Sequence, residues 1–137
     1  MRKIPEQRLW RVLDANFNRA KEGLRVCEDI CRFIGDDPAL TRRYKRVRHR
    51  LTAVIDKLGF GKLLSTRAIE RDVGRGSSAS ELKRKDTRDI YYANAQRAKE
   101  SLRVLEEFAK LLNPRVSGEL KKARYEVYAL EQKSIRF

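Results

Sequence analysis

The segment Ala15–Phe33, ANFNRAKEGLRVCEDICRF, returns as Ala93–Leu111, ANAQRAKESLRVLEEFAKL. The offset is 78 residues, and ten of the nineteen positions are identical. The other changes are mostly mild, such as Asp29 to Glu107, Ile30 to Phe108 and Arg32 to Lys110. After a shift of two residues the match resumes, Lys45-Arg46-Val47-Arg48-His49 aligning with Lys121-Lys122-Ala123-Arg124-Tyr125. An internal repeat sets the architecture before any local assignment, because each copy must form the same supersecondary unit. The unit here is about 50 residues long and reads as a helical hairpin. Two copies predict an all-α, pseudo-symmetric bundle of four long helices.

The boundaries come from caps and breakers. Helix one is expected from about Glu6, after Pro5, to Ile34, with Gly35 as its stop. Asp37-Pro38 reads as an N-cap followed by proline at the first helical position, opening a second helix to about residue 58. From about 59 to 86, Gly59, Gly61, Gly74, Gly76 and the serines Ser77, Ser78 and Ser80 predict a long connecting loop. A loop of that length inside a compact fold is often functional. Helix three should start near Thr87 or Asp89 and run to about Leu112. Asn113-Pro114 repeats the cap-and-proline device before helix four, about 115–135. The expected organisation is thus one domain, with repeat one at about 6–58 and repeat two at about 87–135. No sustained period-two stretch predicts a sheet.

Composition narrows the partners. The 137 residues hold 33 Lys and Arg against 19 Asp and Glu, a net charge of +14. Such a field favours polyanions, namely phosphate esters, nucleotides, nucleic acid or anionic lipid. The competing reading is a solvated Arg/Glu-rich surface that drifted basic, as in proteins from hot environments. At 137 residues the chain can bury about two thirds of its unfolded surface without staples. Nothing approaches the roughly 18–20 apolar residues of a membrane span, and the N-terminus lacks a signal-type hydrophobic stretch. Cys27 and Cys31, four apart on one helix, suit neither a disulfide nor a metal site and read as small core residues. A reducing cytoplasm is the expected setting.

On helix one, Val12, Leu13, Ala20, Gly23, Cys27, Ile30, Cys31 and Ile34 form one apolar stripe. Asn16 falls in its middle and Arg19 on its edge, and Asn94 and Arg97 are their copies. Buried polar groups need partners. Each Asn therefore either satisfies a backbone group or its twin, or the stripe opens onto a polar cleft where Asn and Arg meet a ligand. Glu22, Arg25 and Asp29, repeated as Glu100, Arg103 and Glu107, suit surface ladders worth a few tenths of a kcal/mol. The basic run Arg42, Arg43, Lys45, Arg46, Arg48 and Arg50 is expected to wrap round its helix rather than face one groove. Lys45 and Arg48 match Lys121 and Arg124 in the second copy and could share an anion.

Standard catalytic signatures are missing. Gly59-Phe60-Gly61-Lys62-Leu63 has the wrong spacing for a phosphate-binding loop, and one histidine cannot build a zinc site. In Arg71-Asp72-Val73-Gly74-Arg75-Gly76-Ser77-Ser78 the glycines let backbone amides approach a phosphate, Arg71 adds charge, and Asp72 could hold magnesium. Phosphoryl transfer is the reaction class such an inventory serves best, because it rests on alignment and charge neutralisation. A phosphate acceptor already carries an anionic oxygen, so no strong base is required.

Taken in order, Asp14-Ala15-Asn16-x-Asn18-Arg19-x-x-Glu22-Gly23-Leu24-Arg25-Val26-x-Glu28-Asp29-x-x-Arg32-Phe33, then Lys45-x-x-Arg48-His49, then Arg71-Asp72-Val73-Gly74 precede a second run. That run is Ala93-Asn94-x-x-Arg97-Ala98-x-Glu100-x-Leu102-Arg103-Val104-Leu105-Glu106-Glu107. The set, over about residues 8–130, resembles the alternative all-helical hydroxymethylpyrimidine phosphate kinase family of thiamine biosynthesis. That family occurs alone or fused ahead of thiamine phosphate synthase. The resemblance implies an ATP- and Mg2+-dependent kinase making the pyrimidine diphosphate from the monophosphate. One departure stands out: the family pattern often reads Asp-Val-Gly-Thr, but here Arg75 follows Gly74 and Ser77 is the nearest hydroxyl.

On this reading Asn16, Arg19, Asn94 and Arg97 line the cleft and act in catalysis, and Arg48, Arg124 and Lys45 clamp phosphates. Arg71, Asp72 and Gly74 close a loop over the nucleotide, with Asp72, Glu22 and Glu100 as candidate magnesium ligands. Because the sequence stops at Phe137, synthase activity is not expected. A non-catalytic domain associated with thiamine phosphate synthase is one alternative. A basic nucleic-acid-binding module is another, disfavoured because acids are expected to interleave with the bases on every helix and no recognition-helix motif stands out. Long amphipathic helices would also allow a homodimer.

Overall fold

In the computed structural model, residues 5–59, 73, 74, 76 and 82–133 are described. Helix α1 spans Glu6–Asp29 and continues into a π-helical turn, Ile30–Ile34. Helices α2 (Pro38–Asp56), α3 (Thr87–Ala109) and α4 (Pro114–Glu131) complete the bundle, with no strand among the described residues. α1 lies along α3, α2 packs on α1, α4 packs on α3, and the two outer helices touch each other.

The starts are set by side-chain caps. Asp37 accepts from Leu40 N at 3.0 Å, and Asn113 accepts from Arg115 N at 3.1 Å. A third cap stands at Asp86, accepting from Asp89 N at 2.9 Å. Such caps are worth about 1 kcal/mol each. They fix the three later starts to the residue, whereas α1 begins behind Pro5 with no side-chain cap.

The end of α1 differs from the glycine stop expected there. Gly35 is not left-handed: its φ is −83°, and the positive φ falls on Asp36 at 48°. Gly35 N donates to Ile30 O, five residues back, at 2.9 Å, which defines the wider π turn. One extra residue in that turn rotates the end of the helix away from the core. Ile34, placed in the apolar stripe by its spacing, is therefore 49% exposed, with Phe33 beside it at 66%.

The stripe otherwise packs as its period requires. Leu13, Ala20, Cys27 and Cys31 are fully buried, and Leu9, Trp10, Phe17 and Leu24 join them. The opposing layer comes from Tyr44, Leu51, Ile55, Tyr91, Leu102, Leu105, Leu120 and Leu130. At the centre, α1 and α3 run antiparallel, Gly23 meeting Asn94 and Ala98 while Cys27 Sγ donates to Tyr91 O at 3.6 Å. Ala20, Gly23, Ala98 and Ser101 are all small and buried, so the two backbones approach closely. A Cβ on Gly23 would stand 2.7 Å from the Asn94 carbonyl oxygen.

That contact yields a test. Gly23→Ala should lower stability by about 1–2 kcal/mol, because overpacking against backbone outweighs the gain in helix propensity. Gly118→Ala, whose Cβ would meet nothing within 4 Å, should raise it by about 0.5–1 kcal/mol. Thermal melts followed by circular dichroism decide this, and equal shifts in both variants would refute the close crossing.

Candidate functional site

Each hairpin is tied internally by a buried carboxylate. Arg48 Nε donates to Glu28 Oε1 at 3.1 Å and Nη2 to Oε2 at 3.3 Å. In the second copy Arg124 Nε and Nη2 donate to Glu106 Oε1 at 3.3 and 3.2 Å. A second guanidinium flanks each acid from its own helix: Arg25 stands 3.6 Å from Glu28, and Arg103 stands 3.1 Å from Glu106. Arg25 also lies 3.5 Å from Asp29, and Arg103 3.2 Å from Glu107. Glu28 and Glu106 are 3% and 4% exposed, so water screens their pairs with Arg48 and Arg124 little, while Arg25 and Arg103 stand half in solvent. Arg48 and Arg124, expected to clamp phosphates, thus spend their forks on protein carboxylates.

Glu28 and Glu106 were not singled out by reading the sequence, although the signal was present. Both recur at the 78-residue offset, and both pair with arginines that themselves recur. The separation differs, however: 20 residues from Glu28 to Arg48 but 18 from Glu106 to Arg124. The two additional residues fall in the stretch holding the π turn and the positive-φ Asp36. This accounts for the shift in the alignment between the copies.

The repeated amides and guanidiniums gather at the α1–α3 crossing. Asn16 is buried, and its Nδ2 donates to Val12 O at 2.9 Å; the Asn94 Nδ2 donates to Ile90 O at 2.8 Å. Each amide thus satisfies its own helix, and the twins do not pair. Gly23, where Asn94 sits, lies seven residues from Asn16, roughly 10 Å along the axis. Arg19 and Arg97 are exposed and have no acid partner among the described residues. A twofold axis relating antiparallel neighbours runs perpendicular to the pair, so equivalent residues emerge on the same side. Both guanidiniums therefore leave the bundle near the crossing, on one face. Glu22 and Glu100 are exposed there too, and Glu100 accepts from Gln96 Nε2 at 2.9 Å.

The basic run of α2 does not all face one groove, as its spacing implied. Arg43 turns to α4, its Nε and Nη2 donating to Glu126 Oε1 at 3.0 and 2.6 Å, while Arg48 turns to Glu28. Arg42, Lys45, Arg46, His49 and Arg50 line one shallow hollow of about 570 Å³. Lys45 stays on that outer face, while Arg48, one turn further at its edge, reaches in to Glu28. Gly74 is exposed, whereas Arg71 and Asp72 lie outside the described residues. Among the described residues no three His, Cys, Asp or Glu side chains gather to hold a metal.

Beneath the crossing sits a cluster that cannot supply a nucleophile. The Tyr44 and Tyr91 hydroxyls hydrogen-bond to each other, and both are pushed up by burial. Cys27 and Cys31 are free thiols; burial raises Cys27 strongly and pushes Cys31 up to about 11. Thiols held so far above neutrality stay protonated and inert.

Comparison with known proteins then places the chain. The sequence profile of the ThiD2 family matches residues 11–133. The chain belongs to the ThiD2 family. It is 41% identical over 127 residues to a thiamine-phosphate synthase of Thermosynechococcus vestitus, covering 92% of this chain and 35% of that protein. A thiamine-phosphate synthase of Synechocystis is 42% identical over 122 residues, covering 88% and 34%. That of Rhodopirellula baltica is 39% identical over 120 residues, covering 87% and 32%. The ThiD2 chain thus spans about a third of the length of these relatives. No solved structure matches it. No helix among the described residues is long and apolar enough to cross a membrane.

The buried groups make the ties testable. Glu28→Gln and Glu106→Gln should each cost about 3 kcal/mol, since each strands one largely buried guanidinium, that of Arg48 or Arg124. Urea unfolding showing less than about 0.5 kcal/mol would reduce both ties to surface pairs. Stability should also hold below about pH 9, the ordinary thiol value, and fall as pH climbs towards about 11. The sign is set because the unfolded thiols ionise first while the folded ones keep their protons. Cys31→Ala should flatten part of that slope in melts taken across the alkaline range.

Proposed function

We propose that this ThiD2 chain acts in thiamine biosynthesis as an ATP-dependent kinase of hydroxymethylpyrimidine phosphate, giving the diphosphate. The observation that carries the reading is the pair Arg19 and Arg97, two guanidiniums with no acid partner among the described residues, brought to one face at the α1–α3 crossing. Membership of the ThiD2 family supports the pathway, and the relatives named thiamine-phosphate synthase support it further.

In the proposed transfer, an oxygen of the substrate phosphate attacks the γ-phosphorus of ATP. The bond from that phosphorus to the bridging oxygen breaks, and ADP departs with the bridging oxygen. The attacking oxygen is already anionic, so the histidine-poor site needs no general base. Charge accumulates on the equatorial oxygens of the moving group, where fixed cations act best. Arg19 and Arg97 would hold those oxygens from opposite sides of the crossing. Asn16 and Asn94 would shape its floor, their amides locked to Val12 O and Ile90 O. The described residues offer no three-ligand cage, but magnesium usually takes one or two carboxylates plus phosphate oxygens. Glu22 or Glu100 could supply such a carboxylate, and the ion would neutralise charge between the phosphates.

A second reading is favoured by the relatives' names and lengths. In it the chain equals the portion of a thiamine-phosphate synthase that does not carry the synthase reaction, serving as a companion domain without catalysis of its own.

Incubating the pure protein with ATP, magnesium and hydroxymethylpyrimidine phosphate should produce the diphosphate, read by phosphorus NMR. Arg97→Ala should cut turnover at least tenfold while leaving the helical circular dichroism spectrum unchanged. Absence of product from the wild type would leave the companion-domain reading standing.

A further inference from the structure

The outer face of α2 is charged in a way that nothing inside the bundle balances. Arg42, Lys45, Arg46, His49 and Arg50 recur at the spacing of one helical face and together line the hollow of about 570 Å³. All five are exposed, and none is paired with an acid among the described residues. Their neighbours Arg43 and Arg48, which point inward, are both ion-paired. The only acid in α2 is Asp56, at its last residue. Like charges three and four residues apart repel along a helix, so this face is raised in energy until an anion meets it.

The second repeat does not share the feature. Its corresponding residues are Gly118, Lys121, Lys122, Tyr125 and Glu126, two cations and one acid. The copies kept the same buried Glu–Arg tie, yet only one kept an unrelieved cationic face. The stripe points away from the core residues Leu40, Tyr44, Val47, Leu51 and Ile55, hence away from the α1–α3 crossing. It is a separate site.

Size and chemistry select the ligand. Eight residues of rise give roughly 12 Å, the scale of a short phosphate chain rather than a long nucleic-acid tract. The five side chains include no large apolar residue that could anchor in a lipid interface. We infer that the outer face of α2 is a second anion site, taking an oligophosphate chain through Arg42, Lys45, Arg46, His49 and Arg50. The chain can come from a nucleotide tail or from free polyphosphate.

His49 is the only histidine in the protein and reports on the site directly. Its ring resonances should shift saturably when tripolyphosphate is added in about 0.15 M salt. An equal response to ATP, with none to adenosine, supports a nucleotide tail as ligand. A response to tripolyphosphate alone supports free polyphosphate. The double variant R42Q/R46Q should weaken binding at least tenfold with its circular dichroism spectrum intact. K121Q/K122Q removes the same net charge from α4 and should change binding less than twofold. No saturable shift, equal losses in the two double variants, or a response to duplex DNA alone would overturn the site.

Discussion

The closeness of α1 and α3 governs this fold. Where Gly23 faces the Asn94 carbonyl, the space that a single methyl would need is already taken. Packing density of that order fixes both the height at which the inner helices cross and which residues flank the crossing. The recurring Asn and Arg positions of the two inner helices flank this contact. Asn16 and Asn94 are spaced by it, and Arg19 and Arg97 are brought to one side by it. A looser crossing would let the two halves slide.

The buried carboxylates do a different job. Glu28 and Glu106 each accept two arginines, one from their own helix and one from the next helix. Such a pair adds less net stability than its Coulomb energy suggests, since both charges give up water. Its effect is on register, because a slip of one residue along the outer helix would leave a charge stranded in the interior. Contacts between the halves add Arg43 with Glu126 and Lys57 with Glu119. The inner pair therefore sets distance, and the ion pairs set alignment.

Much of this was legible in the residues. The repeat implied four helices, and the dipeptides Asp37-Pro38 and Asn113-Pro114 marked two starts, because caps are local chemistry. The cysteines read correctly as core. Local rules failed where tertiary contacts decide. Ile34 fitted the stripe by period, yet the π turn throws it outward. Glu28 and Glu106 passed without notice among many helical acids, since nothing in one helix reveals that an arginine about 20 residues on will reach back. Arg48 and Arg124 looked free for the same reason. That the basic run wraps its helix was legible, but which of its members are ion-paired was not, since the acids that meet Arg43 and Arg48 lie on other helices. Of the candidate site, the recurring Asn and Arg positions could be picked from sequence, but their spacing depends on a glycine contact that only the fold supplies.

The unequal tips of the two hairpins have a further consequence. Two residues separate the copies in length, and the bundle absorbs them between Asp29 and Pro38 without disturbing the pairs on either side. The difference falls on the exposed residues Phe33, Ile34 and Asp36, above the buried Ile30 and Cys31. An affinity tag, a fluorophore or a foreign loop could be grafted there while the helices below kept their positions.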